Sequence, residues 1–505
     1  MGFTFSNKLS RSKNGTGSEI VEMEENHLPS PSQIEIGPAE PVKPPIEISE
    51  EHRDPKLNDK HQSSGKVIDA VWGEIDLNDG SSPNYRNLTW VKASVLEVKT
   101  QIGLGVLGLP AALNVLGFVP GIICILVIAI IITWSDYVVG TFKMNHPEVY
   151  TVSDVGYIMF GKWGREILGF AYVLEVVATG GASFLSISVA FNAITDHATC
   201  SVVWAIIGAI IVGFLSSIQT LGKISWLGWV GLVSIMSAVI TLMVGLGISG
   251  KPSLAPTDEP YTIITQAVGK PSFVEAINAV CIIIFAYAGT PNFFNIVGEM
   301  RNPEDFTKSV LIGQTAITTI YLVVAAVVYH YAGQYIASPA LGSAGIILKK
   351  VCYGLALPGL CVGGTLFMHV AAKYIFVRIL RNSVHLSKNT PVHYVAWYGS
   401  VAFVCAIGFV IAEAIPFFND LLSLIGALLA TVICIQMESF MWMWDNIRSP
   451  TRGTLSWNLL MAMNIIFFIA GWFLMIAGTY GSVVTINDNF NSGSVGSAFS
   501  CADNS

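Results

Sequence analysis

The sequence predicts an all-α polytopic membrane protein with about eleven transmembrane helices, and three observations carry that reading. Only 12% of the 505 residues are charged and 52% are hydrophobic, whereas soluble globular chains carry roughly 25% charged residues. From Trp90 onward the apolar residues gather into runs of about 20, the length an α-helix needs to cross hydrocarbon. The charge is also segregated. Residues 1–88 hold 9 Lys/Arg and 15 Asp/Glu, a local net of −6 out of −7 for the whole chain. This balance excludes a wholly disordered chain, a nucleic-acid binder and an ordinary soluble enzyme.

Taken in order, residues 1–88 read as a disordered cytosolic tail. They are rich in Ser, Pro, Glu and Lys, as in Pro38-Ala-Glu-Pro-Val-Lys-Pro-Pro45, and cannot bury enough apolar surface to offset their ordering entropy. No apolar h-region follows Met1, so the start does not read as a signal peptide. Gly2 and Ser6 match a loose acylation pattern, which is redundant beside so many spans. The transmembrane domain, 89–480, then holds spans at 92–115, 118–141, 165–193, 201–219, 224–248, 273–298, 308–332, 344–377, 395–412, 417–438 and 455–479. Residues 481–505 read as a short extracytoplasmic tail.

Orientation follows from the basic residues of short loops. With the amino terminus inside, the inner connections hold eleven Lys/Arg, from Lys143 to Arg452. The outer ones hold Lys251 and Lys270, with Lys349 and Lys350 near one outer helix end. The amino terminus is therefore placed in the cytosol and the carboxyl terminus outside. The glycosylation triplets at Asn14 and Asn87 fall on the cytosolic side, and Cys200 and Cys501 fall together on the outer face, where a pairing is open to them. The eight cysteines show no metal or redox spacing.

Two spans carry unusual punctuation. The first contains Gly103-Leu-Gly-Val-Leu-Gly-Leu-Pro110, and the sixth contains Phe285-Ala-Tyr-Ala-Gly-Thr-Pro-Asn-Phe293. Gly and Pro in mid-helix free backbone groups, and inside a bilayer protein, water or ligand must satisfy them. Close helix packing through small residues is the competing reading for Gly103 and Gly108. The breaks lie five spans apart, an odd number, so the second enters from the opposite face. Paired interruptions in oppositely oriented helices mark an inverted-repeat transporter with its site near the midplane. Spans 1–5 and 6–10 would be the repeats, with span 11 an addition.

The expected substrate-binding residues are Gly103, Leu104, Gly105, Val106, Leu107 and Gly108 from the first break. Phe285, Ala286, Tyr287, Ala288, Gly289 and Thr290 come from the second. Freed N–H groups at a half-helix start suit a carboxylate, and opposing carbonyls suit an ammonium group. A zwitterionic amino acid satisfies both, and the lining of Val106, Leu107, Phe285 and Tyr287 favours neutral side chains.

These motifs, with Glu299-Met-Arg-Asn-Pro303 following the second, resemble the amino acid/auxin permease family of transmembrane amino-acid transporters, above all the fungal neutral amino-acid permeases. The likeness covers roughly residues 88–480. It implies a five-plus-five inverted-repeat fold of the LeuT/APC-like type, broken helices 1 and 6, and uptake of amino acids with a coupled cation, usually the proton. It also favours the plasma membrane over the vacuolar membrane.

Ionisable residues at membrane depth are functional candidates by default. Glu175, near the middle of span 3, is the first choice for a proton-carrying carboxyl, with a structural acid as the competing reading. His369 in span 8 is a second coupling candidate against a packing histidine. Thr365 is a third, placed to face the first break unless its hydroxyl merely bonds its own helix. Asp136, Glu299 and Glu438 lie near predicted inner ends and read as solvated helix-end or gate groups, and Glu97 and Lys99, ahead of the first break, read as snorkelling to the interface, with a cytosolic gate as the alternative. No nucleophile–base pair, metal cluster, phosphate loop or filter motif is present, so neither an enzyme, a cofactor nor a channel is expected. The leading expectation is a proton symporter for neutral amino acids. The alternative is an amino-acid-sensing receptor with little net transport.

Overall fold

The computed structural model describes residues 66–69, 73–76, 88–219, 221–249, 251–256, 259–380, 383, 385, 390–492 and 497–504, with backbone alone at 66–69, 73–76, 221–226 and 249. The acylation pattern at Gly2 and Ser6, the triplets at Asn14 and Asn87, loop residues Arg381 and Lys388, and most of the 1–88 tail lie outside the described residues. Within that tail, β1 (Lys66–Asp69) and β2 (Gly73–Asp76) pair antiparallel.

The other regular elements among the described residues are helices. Among the described residues nine helices are long and apolar enough to cross a membrane, and two shorter apolar ones accompany them. Span 1 is Trp90–Gln101 plus Gly105–Leu116, span 2 Phe118–Asn145, and span 3 lies within Val152–Thr195. Span 4 is Ser201–Ser216, span 5 Leu221–Ser249, and span 6 Phe273–Ala286 plus Phe293–Glu299. Spans 7, 8 and 9 are Phe306–Ala332, Ile346–Ile379 and Pro391–Ala414. Span 10 runs within Phe418–Asn446, and span 11 is Leu455–Ser492. The expected eleven spans are present, and both expected breaks are real: spans 1 and 6 are the two that split near their middles.

Local chemistry explains the boundaries. Thr151 and Asp154 form a capping box ahead of Val152, and Ser272 and Glu275 form another ahead of Phe273, each satisfying orphan N–H groups. The helix from Val152 bends at Gly161, whose φ of 66° is left-handed backbone that favours glycine. Span 3 proper starts beyond that bend, near the expected position. Span 10 contains two π-helical stretches, Gly426–Ala430 and Val432–Gln436, a rarity concentrated at functional sites.

Spans 1 and 6 run in opposite directions. At the amino-terminal face Leu88, ahead of span 1, pairs with Met300, just after span 6. At the other face Gly117, after span 1, meets the Val268-Gly269 segment ahead of span 6, and Gly269 N–H donates to Leu116 O at 2.9 Å. The Glu299-Met-Arg motif is thus the strap that ties the two broken helices at one face: Leu88 N–H donates to Glu299 O and Arg301 N–H to Leu88 O.

Span 3 is the most enclosed, with 89% of its apolar window buried, and span 11 the least, with 11%. Span 11 differs from expectation at its end, continuing past residue 479 to Ser492. Gly478 packs on Ala427 and Cys281, and Thr485 accepts from Asn278 at 2.8 Å. Protein contacts therefore continue the helix beyond its most apolar stretch. Beyond it Cys501 forms a disulfide with Cys200, Cα–Cα 4.4 Å.

Candidate functional site

The two breaks meet. The first half of span 1 ends where Ile102 N–H donates to Val98 O, and Ile102 itself is extended, so helical pairing stops before Gly103. The first half of span 6 ends at Ala286, and Tyr287-Ala-Gly289 turns into a 3-10 segment, Thr290–Asn292. A Cβ added to Gly105 would collide with Ala286, 2.7 Å from its Cβ, and one added to Gly289 would run into the Gln101 side chain. Glycine at these two positions is what lets the broken helices touch. Gly103 differs, because a Cβ there would meet nothing within 4 Å. The packing reading fits Gly108 and not Gly103: Gly105 and Gly108 pack, and Gly103 is open.

One hydroxyl joins both breaks. Tyr321 of span 7 directs its O–H at Gln101 O, 2.9 Å away, and at Ala286 O, 2.7 Å away. These are the last carbonyls of the two first-half helices, carrying the partial negative charge of helix carboxyl ends. Tyr287 packs edge-on against Tyr321 and donates to Thr318 Oγ1 at 3.1 Å. Val106, Leu107 and Tyr287 are fully enclosed, Leu104, Phe285 and Ala286 nearly so, and Gly103 and Ala288 are half-buried. Phe285 faces Gly426 at the first π-helical stretch, and Gly108 packs on Ile282 and Leu422.

The three coupling candidates lie on spans 3 and 8. Thr365 donates to Cys361 O of its own helix at 2.8 Å, and the neighbouring Gly364 packs on Ser183 and Val212. His369 is fully buried, its Nδ1–H donating to Ser216 O at 3.2 Å and its ring edge-on to Trp397. Those contacts are the own-helix hydroxyl and the packing histidine of the competing readings. Glu175 is 4% exposed. It faces Cys434 and Glu438 of span 10.

Of the acids placed near inner helix ends, Glu299 is half-buried and the other three are enclosed. Glu97, Asp136 and Glu438 are 1%, 0% and 0% exposed. Position along a helix says how deep a residue lies, and it does not say which way the residue faces. Ser309 Oγ donates to Glu97 Oε1 at 2.8 Å, and Gly313 makes room for the other oxygen. Gln314 Nε2 donates to Asp136 Oδ2 at 2.6 Å. Lys99 lies over the Trp229 ring, 4.8 Å from its centre. Tyr321, Gln101, Gln314 and Ser309 were not among the expected site residues. A polar residue near mid-span was the available signal for Gln314. For Tyr321 there was none, because its partners are backbone carbonyls.

The family profile described as "Transmembrane amino acid transporter protein" matches residues 86–484. A protein described as "Transmembrane transporter" from Gibberella moniliformis is 34% identical over 86% of this chain and 91% of its own length. The "N amino acid transport system protein" of Neurospora crassa is 33% identical over 89% of this chain and 96% of its own. A solved nucleobase–cation symport transporter aligns with 82% of this chain and 95% of its own at 14% identity and a TM-score of 0.49.

Proposed function

The chain belongs to the transmembrane amino acid transporter family, a family of multi-pass membrane transporters and not of enzymes, and on that premise we propose that it imports neutral amino acids by proton symport with alternating access. The observation that carries the reading is the junction of the two breaks. Gln101 O and Ala286 O end two opposed half-helices at one hydroxyl, Tyr321. Half-helix ends near the midplane are the arrangement that holds charged substrate groups in inverted-repeat transporters.

A substrate ammonium group accepts the role Tyr321 now fills towards those carbonyls, and the carboxylate approaches the backbone N–H groups that open the second half of span 1. Gly103, with open space around it, is where the main chain is reachable. Enclosed Val106, Leu107 and Tyr287 favour aliphatic or aromatic side chains. The Neurospora relative's description as an amino acid transport system supports the substrate class. Glu175 is our candidate for taking up the coupled proton. The loop charges favour a cytosolic amino terminus and an outer carboxyl terminus, and the plasma membrane is preferred to the vacuolar one.

The test is uptake by proteoliposomes under an imposed pH gradient without sodium, using a competition panel of the common amino acids at two pH values. Concentrative uptake, competed by neutral and not by charged amino acids, is expected. Strict sodium dependence overturns proton coupling. Binding without uptake by any preparation overturns transport in favour of the sensing receptor.

A further inference from the structure

Asp136 of span 2 and Glu438 of span 10 lie on packed helices and interact, both with no exposed surface. Their hydrogen bonding is incomplete. Asp136 Oδ1 and both carboxyl oxygens of Glu438 have no partner among the described residues, and the same holds for Gln314 Oε1 and Thr290 Oγ1. Thr290 is itself fully buried and meets Asp136 on one side and Cys434, four residues before Glu438, on the other. The set is thus rich in acceptors, and the hydroxyl aimed into it belongs to the second break.

Buried acceptors without donors are costly. A proton bound as a carboxylic O–H supplies the missing donor and removes a charge at once. A metal ion would need ligands converging on a point, and no three His, Cys, Asp or Glu side chains among the described residues do so. Among the described residues, the titratable groups that meet this pair are acids or thiols: Glu97 from span 1, Cys434 from span 10 and Glu175 from span 3. Spans 6 and 7 contribute neutral Thr290 and Gln314.

We propose that Asp136 and Glu438, with Thr290 beside Asp136, form the site that holds the co-transported proton, and that Thr290 reports the state of the second break to it. The inference rests on the proton-symport reading and places the stored proton on this pair and not on Glu175, which faces Glu438 and serves as its neighbour on the route. The proton enters from water on the side of higher acidity and makes one carboxylate a carboxylic acid. It leaves as hydronium when the break rearranges and Thr290 withdraws from Asp136.

The test compares wild type with Asp136→Asn and Glu438→Gln in proteoliposomes, each measured two ways. A gradient of about one pH unit supports about tenfold accumulation at one proton per substrate, and this is expected for wild type. Both variants are expected to fall to about onefold while amino-acid exchange at equal pH, which needs no proton release, stays within about twofold of wild type. Infrared difference spectra of wild type should show a carboxyl C=O band that titrates and is missing in Asp136→Asn, a readout independent of transport. Tenfold accumulation retained by both variants overturns the site, as does loss of coupling in Glu175→Gln alone. If neither variant exchanges, the spectra decide, and an unchanged carboxyl band on comparing wild type with Asp136→Asn overturns the site. Wild type indifferent to the pH gradient overturns the symport reading itself, an outcome distinct from the others.

Discussion

At the scale of single residues, the junction of the breaks depends on two absent Cβ atoms, at Gly105 and Gly289, and one hydroxyl. Gly105→Val places a branched side chain where Ala286 already lies, and overpacking of this kind costs about 1–3 kcal/mol. Because the strain falls on the two half-helices that frame the site, uptake should drop at least about tenfold with a raised apparent KM. An unchanged apparent affinity in a transport assay would place the substrate elsewhere. Tyr321→Phe keeps the ring against Tyr287 and removes the donor to Gln101 O and Ala286 O. A buried acceptor deprived of its donor costs about 1–3 kcal/mol, so the purified variant should unfold at lower temperature. Substrate should restore more of that stability to the variant than it adds to wild type, since its ammonium replaces the missing donor. Equal shifts by substrate in both proteins, read by thermal denaturation, would show that the hydroxyl and the ammonium do not share those carbonyls. The two residues also mark what a sequence reveals. The Gly-Pro breaks were legible because they violate helix chemistry inside an apolar run. Tyr321 was hidden because an aromatic in an apolar span breaks no rule.

At the scale of elements, the eleven spans were legible because each must supply enough apolar length for the bilayer, and that length is written in composition. Facing was not. Asp136 and Glu438 lie where a helix-end acid would be solvated, and only the packing of spans 2, 7 and 10 shows them enclosed. The end of span 11 was hidden for a related reason: polar contacts such as Asn278–Thr485 sustain helix that hydropathy does not announce. The contact between spans 2 and 10 at the amino-terminal face offers a test outside the membrane. His146 Nε2 meets Asp445 Oδ1 at 2.8 Å, and Asn145 Nδ2 donates to Asp445 Oδ2 at 3.0 Å. The Asp445 hydrogen bond holds the imidazole above its usual titration range. A histidine so raised adds stability that is complete below its unfolded value, about 6.5, and is lost as pH rises through the folded value. Wild type should therefore lose thermal stability relative to His146→Gln on passing from about pH 5.5 to about pH 8. Parallel melting curves across that range would show that this pair does not clamp the two spans.

At the scale of the whole molecule, the disulfide and the loop charges are independent reports on one question: which face looks outward. Cys200 precedes span 4 and Cys501 follows span 11, and the last residues lie over the same face. There Asn192 Nδ2 donates to Asn504 Oδ1 at 2.7 Å and Phe499 N–H to Glu413 O at 3.2 Å. A lasting disulfide belongs in an oxidising compartment, so this face should point away from the cytosol. Basic residues crowd the opposite face, and that placement agrees with an outer carboxyl terminus. Loop charge bears on orientation and not on the choice of membrane, since the vacuolar lumen and the cell exterior are equally remote from the cytosol. A membrane-impermeant reductant followed by an impermeant maleimide separates the two. Intact cells should gain two reactive thiols per chain, from Cys200 and Cys501, and Cys501→Ser should expose Cys200 without reduction. A gain that appears only after permeabilisation would move the protein to an internal membrane or invert it. No gain under either condition would mean that the carboxyl-terminal strand is held to its face by hydrogen bonds alone.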